Sequence, residues 1–216
     1  MNIKIYLDIA CPYCYIAKKK FEEALKEFNE VDFDIEYKSF ELNYEAPKYP
    51  EETLITSLSE RTGVSEEEIR RQYRILIESA KAEGIELNLE NVVPSNTRDA
   101  HRLLKFAIQE GKGSELLDEL YYRNFKLNEN VADKDVLLSV AEAVELDRAR
   151  AKEVIEDESE FAELVLEDFN YGKILGVQSV PHFIFNERFK MNGAAEVDLY
   201  IYAIEKTLDD RKKGDL

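Results

Sequence analysis

The chain has 216 residues, 44% of them hydrophobic and 11% aromatic, enough for one large core or a core with an inserted lobe and too many for a disordered chain. Lys and Arg number 29 against 46 Asp and Glu, a formal charge of -17; a surface of that sign repels phosphate backbones and anionic headgroups, so neither nucleic acid nor a membrane is the expected partner. No stretch approaches the roughly 18 apolar residues of a bilayer crossing, and Asp8 and Cys11 interrupt the one early apolar run that could resemble a leader, so the expected location is the cytoplasm.

The first apolar run, Ile3 to Ile9, reads as a strand that ends at Cys11-Pro12-Tyr13-Cys14. Pro12 suits the first position of a following helix, where its missing N–H would have had no partner. Ala17, Phe21, Ala24, Leu25 and Phe28 then recur at helical spacing, with Lys18, Lys19, Lys20, Glu22 and Glu23 expected mostly on the wet side. Phe33, Ile35 and Tyr37 alternate with polar residues as a second strand, followed by Phe40 and Leu42 after a slip in phase. The opening is strand, helix, strand, with two cysteines at the first turn.

The middle of the chain is helical. Ser65 and Glu68 form a capping box ahead of Ile69, Tyr73, Leu76, Ile77 and Ala80. Ser95 or Asn96 can cap the next helix, whose stripe is Ala100, Leu103, Leu104, Ala107 and Ile108, ending before Gly111 and Gly113. Further helices are expected over about 114–126, 133–145, 147–156 and 159–174, with no strand from about 62 to 174. The strand pattern returns at His182-Phe183-Ile184-Phe185, turns at Asn186-Glu187 and resumes at Phe189-Lys190-Met191. A last helix carries Val197, Tyr200, Ile201, Ile204 and Leu208 before a charged tail from Asp209 to Asp215. The expected class is α/β: one sheet built from 1–61 and 175–216, interrupted by an all-helical lobe at 62–174.

Cys11 and Cys14 are the two cysteines of the chain. In a reducing compartment such a pair does not persist as a staple, so its spacing points to dithiol exchange or metal binding. An ordinary thiol ionises near ~8.5, and a helix N-terminus favours its anion. Cys11 occupies that position and is the expected nucleophile; Cys14, one turn in, is the expected resolving thiol, the two forming a redox-active disulfide. A zinc site could draw on Cys11, Cys14, His101 and His182, but the histidines are isolated where structural sites use paired knuckles. Two inert buried thiols, or a non-catalytic module binding soft metal ions or client chains, are the other readings of the pair. Val180-Pro181 stands at the start of the returning strand, a position the ladder allows to proline. His182 would lie closer to the thiols, and His101 reads as a half-buried border residue of its helix. Tyr13 and Tyr15 read as surface residues, and Glu66-Glu67-Glu68 and Glu156-Asp157-Glu158 as solvated faces near helix starts.

The chain resembles the DsbA-like branch of the thioredoxin superfamily, and within it the cytoplasmic FrnE-type group. The residues that carry the resemblance are Asp8 to Ala17, Phe40-Glu41-Leu42-Asn43, Asn96 to Leu103, Gly176 to Phe183 and Asn192-Gly193-Ala194, in family order over nearly the whole chain. The resemblance implies a thioredoxin-like fold with a helical insertion and a disulfide oxidoreductase, with isomerase activity as a further capacity. It implies that Pro181 is a cis-proline facing Cys11 and Cys14, and that Pro12, Tyr13, Val180, Pro181 and His182 meet the substrate, with the Val180 backbone offering a short edge for a peptide. His101 is a candidate tuning group. Tyr13 replaces the Trp often found between the cysteines, and His182 is an unusual start to the final strand. The expected partners are proteins with thiols or disulfides; no bound cofactor is expected, with glutathione as candidate reductant or oxidant. A glutathione-dependent transferase or hydroxychromene carboxylate isomerase-like enzyme is the alternative within the superfamily, against which Cys14 weighs.

Overall fold

The computed structural model describes residues 1–212; the part of the expected charged tail beyond residue 212 lies outside them. The chain forms two compact units, Met1–Phe40 together with the chain from Glu167 onward, and Glu41–Leu166. The sequence reading placed the boundaries at 61/62 and 174/175.

In the first unit β1 (Asn2–Leu7) lies between β2 (Asp34–Ser39), to which it is parallel, and β3 (His182–Phe185), to which it is antiparallel; β4 (Phe189–Asn192) is the edge beyond β3. The helices of this unit are α1 (Pro12–Leu25), the greater part of α8 (Ala162–Ile174) and α9 (Val197–Lys212). Residues opposite each other in register share a face of the sheet, and the two faces differ in kind. Ile3 opposes Phe185 and Ile5 opposes Phe183 on an apolar face, where Phe21 of α1 stands 5.3 Å from the Phe183 ring and Tyr200 of α9 stands 5.0 Å from it. Tyr6 opposes Lys38 and His182 on the other face, which is held by polar contacts: Lys38 pairs with Glu36 at 2.8 Å and with Asp168 of α8 at 3.4 Å. Gly172 of α8 packs against the Tyr6 ring; a Cβ there would stand 2.7 Å from Tyr6 Cε1. Asp168, Phe169 and Gly172 thus pack on Ser39, Phe40 and Tyr6, which is why the unit boundary falls inside α8 and not after it.

The β3–β4 connection has both Asn186 and Glu187 at positive φ, 45° and 61°, the twist that suits a tight hairpin turn. Lys18 and Lys20 of α1 are buried, not on the wet side. Each lays its stem on the protein and brings its ammonium to a carboxylate, Lys18 to Glu22 at 2.5 Å and Lys20 to Glu196 at 2.7 Å.

The second unit is helical: α2 (Leu54–Thr62), α3 (Glu66–Ala82), α4 (Arg98–Gln109), α5 (Gly113–Tyr122) widening into a π-helical turn (Arg123–Leu127), α6 (Lys134–Ala143), α7 (Arg148–Glu156) and the first turn of α8. Between β2 and β3 no strand occurs among the described residues. Ser65 caps α3 as its box predicts, accepting from the Glu68 N–H at 3.3 Å. The sequence reading lacked α2, which Thr53 caps by accepting from the Thr56 N–H at 3.3 Å and which ends at Gly63, φ +73°. Its stripe is too short and polar to show as a period. The cap residue of α4 is Thr97, not Ser95 or Asn96; Asn96 Oδ1 instead accepts from the Arg98 N–H at 2.9 Å. Residues 99–107 of α4 are all buried, while Ile108, expected on the stripe, is 39% exposed at its end. Glu156 to Glu158 are exposed, but Glu156 is the last residue of α7 and the other two follow it, so the cluster lies at a helix end and not at a start. Among the described residues no helix is long and apolar enough to cross a membrane.

Candidate active site

The site is built where β1 leaves the sheet. Asp8, fully buried, closes the turn twice: its carbonyl accepts from the Cys11 N–H at 3.1 Å and its carboxylate from the Ala10 N–H at 3.2 Å, the local bonding that favours Asp at such turns. Cys11 is then the extended cap residue of α1, φ -103° and ψ 107°, with Pro12 next and no acidic residue in the first turn. No carboxylate of the helix's own first turn therefore competes with the sulfur for the helix end. The Cys14 N–H donates to the Cys11 carbonyl at 3.0 Å, setting the second thiol one turn in.

Both cysteines are free thiols, Cys11 5% exposed and Cys14 2%. The order is the expected one, but Cys11 is more covered than a nucleophile read from spacing alone would be. The cover comes from the far end of the chain: Cys11 Sγ lies 3.7 Å from the Val180 carbonyl oxygen, and Val180 and Pro181 are themselves buried. The Val180–Pro181 peptide bond is cis. Burial pushes the Cys14 thiol well up, and its hydrogen bond with Cys11, the Cys11 charge and the Asp8 carboxylate add to this against a backbone hydrogen bond from Asp8. The Tyr13 phenol, 40% exposed, is raised by burial and by Cys11 beside it.

Of the residues singled out in the sequence, Cys11, Pro12, Tyr13, Cys14, Val180, Pro181 and His182 all fall in the sheet unit. His182 sits at the head of β3 on the polar face, in register with Tyr6, while Phe183 next to it turns toward α1. Its Nδ1 lies 3.4 Å from Asn192 Oδ1, and burial holds its pKa below the usual histidine value, with Lys190 acting the same way and the Asn192 hydrogen bond opposing. His101 belongs to α4 of the helical unit and is wholly buried, in place of the half-buried border position expected, because that turn of α4 is enclosed on all sides. Tyr15 is half-buried, its ring 6.0 Å from the Lys19 ammonium.

Residues that the sequence reading did not assign to the site are Asp8, Ser179 and Asn192. Asp8 carried a legible signal, an Asx-type acceptor two residues before the backbone it must bond. Ser179 and Asn192 meet only through the hairpin, the hydroxyl of Ser179 donating to Asn192 Oδ1 at 3.0 Å. Among the described residues no group of three or more His, Cys, Asp or Glu side chains is placed to hold a metal ion.

A family model described as a DSBA-like thioredoxin domain matches residues 2–205. The chain is 27% identical over 226 residues to the uncharacterized protein YwbO of Bacillus subtilis (strain 168), covering 99% of this chain and 98% of the relative. Among solved structures it is similar to a probable DsbA oxidoreductase, SCO1869, from Streptomyces coelicolor, with a TM-score of 0.92 and 30% identity, covering 97% of this chain and 91% of that one. It also shares its fold with the cytosolic disulfide reductase DsbM of Pseudomonas aeruginosa, with a TM-score of 0.68 and 15% identity, covering 97% of this chain and 99% of that one.

Proposed function

The chain belongs to the DSBA-like thioredoxin domain family, and from that premise we propose that it is a thiol–disulfide oxidoreductase in which Cys11 is the nucleophile and Cys14 the resolving thiol. The observation that carries this reading is the placement of Cys11 Sγ at the head of α1, 3.7 Å from the Val180 carbonyl, with Cys14, whose N–H donates to the Cys11 carbonyl, buried one turn inside.

In the reducing direction the Cys11 thiolate attacks one sulfur of a substrate disulfide. A Cys11–substrate S–S bond forms, the substrate S–S bond breaks, and the second substrate sulfur leaves as a thiolate that takes up a proton. Cys14 loses its proton and attacks Cys11 Sγ, forming the Cys11–Cys14 disulfide and releasing the first substrate sulfur. Two electrons pass from the dithiol to the substrate, and two glutathione thiols, leaving as glutathione disulfide, reduce the pair again; the oxidising direction is the reverse, with glutathione disulfide or a protein disulfide restoring the Cys11–Cys14 bond. The cover over Cys11 gives the exchange a direction of approach. An extended substrate segment reaches the sulfur alongside the Val180 backbone, where it pairs as a short added strand. Isomerisation uses the first step alone, with a thiolate of the same substrate releasing Cys11. The proposed setting is the cytoplasm, where a reduced dithiol is maintained.

Replacing Cys11 by Ser should reduce both insulin reduction and dithiol oxidation to the background rate; wild-type rates in that variant would overturn the reading. Cys14→Ser should instead accumulate a mixed disulfide through Cys11, visible as an added substrate mass. Because burial holds the Cys14 thiol above its usual value, the closing step should quicken as pH rises and the thiolate fraction grows. Glutathione conjugation that survives Cys14→Ser would favour the transferase alternative.

A further inference from the structure

Val180 and Pro181 are flanked in the chain by Ser179 and His182, and both flanking side chains reach one atom. The Ser179 hydroxyl donates to Asn192 Oδ1 at 3.0 Å, and His182 Nδ1 stands 3.4 Å from the same oxygen. A third bond ties the edge to the same place: the Gly193 N–H donates to the Pro181 carbonyl at 2.8 Å, with Gly193 at φ +83°, a backbone state that glycine adopts without strain. Asn192 is not on a loose loop. It closes β4 directly opposite His182 in the β3–β4 ladder, so the three bonds anchor the segment that covers Cys11 to a rigid hairpin.

We propose that Asn192 is a positioning residue that holds the Val180–Pro181 edge for extended polypeptide substrates, by accepting hydrogen bonds from the residue before and the residue after that edge. This rests on the function proposed above and deepens it by naming what the site selects.

The chemistry of the oxygen decides the rest. A side-chain amide oxygen has two lone pairs, one filled by the Ser179 hydroxyl and the other by an Nδ1–H of His182. That assignment leaves His182 Nε2 as a bare acceptor, and it is buried with no hydrogen-bond partner. An imidazolium would bury a second N–H and a charge with nothing to receive either. Burial and the Lys190 charge favour the neutral form and the Asn192 hydrogen bond from β4 opposes them, with Tyr6 in register on β1. Burial thus favours the neutral ring, and the Nδ1–H that completes the clamp is carried by the ring in either protonation state. A small disulfide needs only the two sulfurs, whereas a polypeptide also needs the edge to be where its backbone will pair.

The test compares two substrates of one enzyme, an extended peptide disulfide and a small aromatic disulfide. Each bond of the clamp is worth about a fivefold effect when water cannot replace it, and less at an exposed end. Asn192→Ala should therefore raise KM for the peptide roughly fivefold with kcat held, and change the small-disulfide rate by less than about twofold. Ser179→Ala, which removes one donor at an exposed position, should raise the peptide KM about twofold to threefold and keeps the test open should Asn192→Ala fail to fold. Asn192→Asp retains the oxygen and should restore the peptide KM at neutral pH. Its carboxylate also favours the His182 cation, so the ring should titrate at higher pH than in the wild type. Equal losses on both substrates, or an unchanged peptide KM in Asn192→Ala and Ser179→Ala, would overturn the assignment of Asn192 alone. A wild-type protein that turns over neither substrate would overturn the functional reading and this inference with it.

Discussion

In the proposed function two cysteines at a strand-to-helix turn carry the chemistry, and their different surroundings suit them to different tasks. Cys11 stands at the helix head under the Val180 carbonyl; Cys14 is enclosed and holds its proton. Spacing alone was enough to nominate both sulfurs, because a helix turn brings positions three apart together in any fold. The cover on Cys11 was not legible in the spacing, since it is made by residues about 170 positions later in the chain; only the family resemblance sets Val180 and Pro181 against the dithiol. His182 offers a separate check at this scale. Its pKa lies below the usual ~6.5 in the folded protein, so the unfolded chain binds the proton more readily. The stability it contributes is fully present above pH ~6.5 and is lost as pH falls through the folded value. Between pH 7.5 and 5 the urea midpoint of the wild type should therefore drop more than that of His182→Gln; equal drops would show that the ring does not report on folding.

Helices in the second unit were legible wherever a period or a cap stood out, as at Ser65 and Glu68, and illegible where neither did, as in α2. The reading of α4 shows the limit of a stripe. An amphipathic period predicts one buried face, yet α4 is buried from Asp99 to Ala107, and its polar residues are met by specific partners. Arg102, with no exposed surface, donates to the carbonyls of Val154 at 2.6 Å, Asp157 at 2.8 Å and Glu160 at 3.0 Å, and to Asp99 Oδ1 at 3.0 Å. It thereby satisfies acceptors at the end of α7 that no helix bond can reach. Burial raises the Asp99 carboxyl, but hydrogen bonds from Lys48 and Arg102 outweigh it and hold the group below its usual value. Arg102→Met should cost about 3 to 5 kcal/mol in urea unfolding, as when one partner of a buried ion pair is removed. Lys48, which still pairs with Asp99 at 2.7 Å, keeps the loss toward the lower figure.

At the scale of the whole molecule, a formal charge of -17 sets anionic side chains against one another across the surface. Screening shortens the range of that repulsion from about 30 Å at 0.01 M salt to about 3 Å at 1 M, so the melting temperature should rise with sodium chloride over that range; a fall would mean that ion pairs such as Lys38–Asp168 outweigh the repulsion. The sequence by itself determined the α/β class, the order of the strands and of the helices other than α2, the helical insertion and the dithiol, because each rests on local periodicity, capping or spacing that neighbouring residues impose on one another. Tertiary structure alone decided where the insertion begins and ends, which face of the sheet is polar, how fully Cys11 is covered and that Ser179 and His182 share one oxygen of Asn192. Those are contacts between residues far apart in the chain or on separate strands, and no local pattern records which distant partner will arrive.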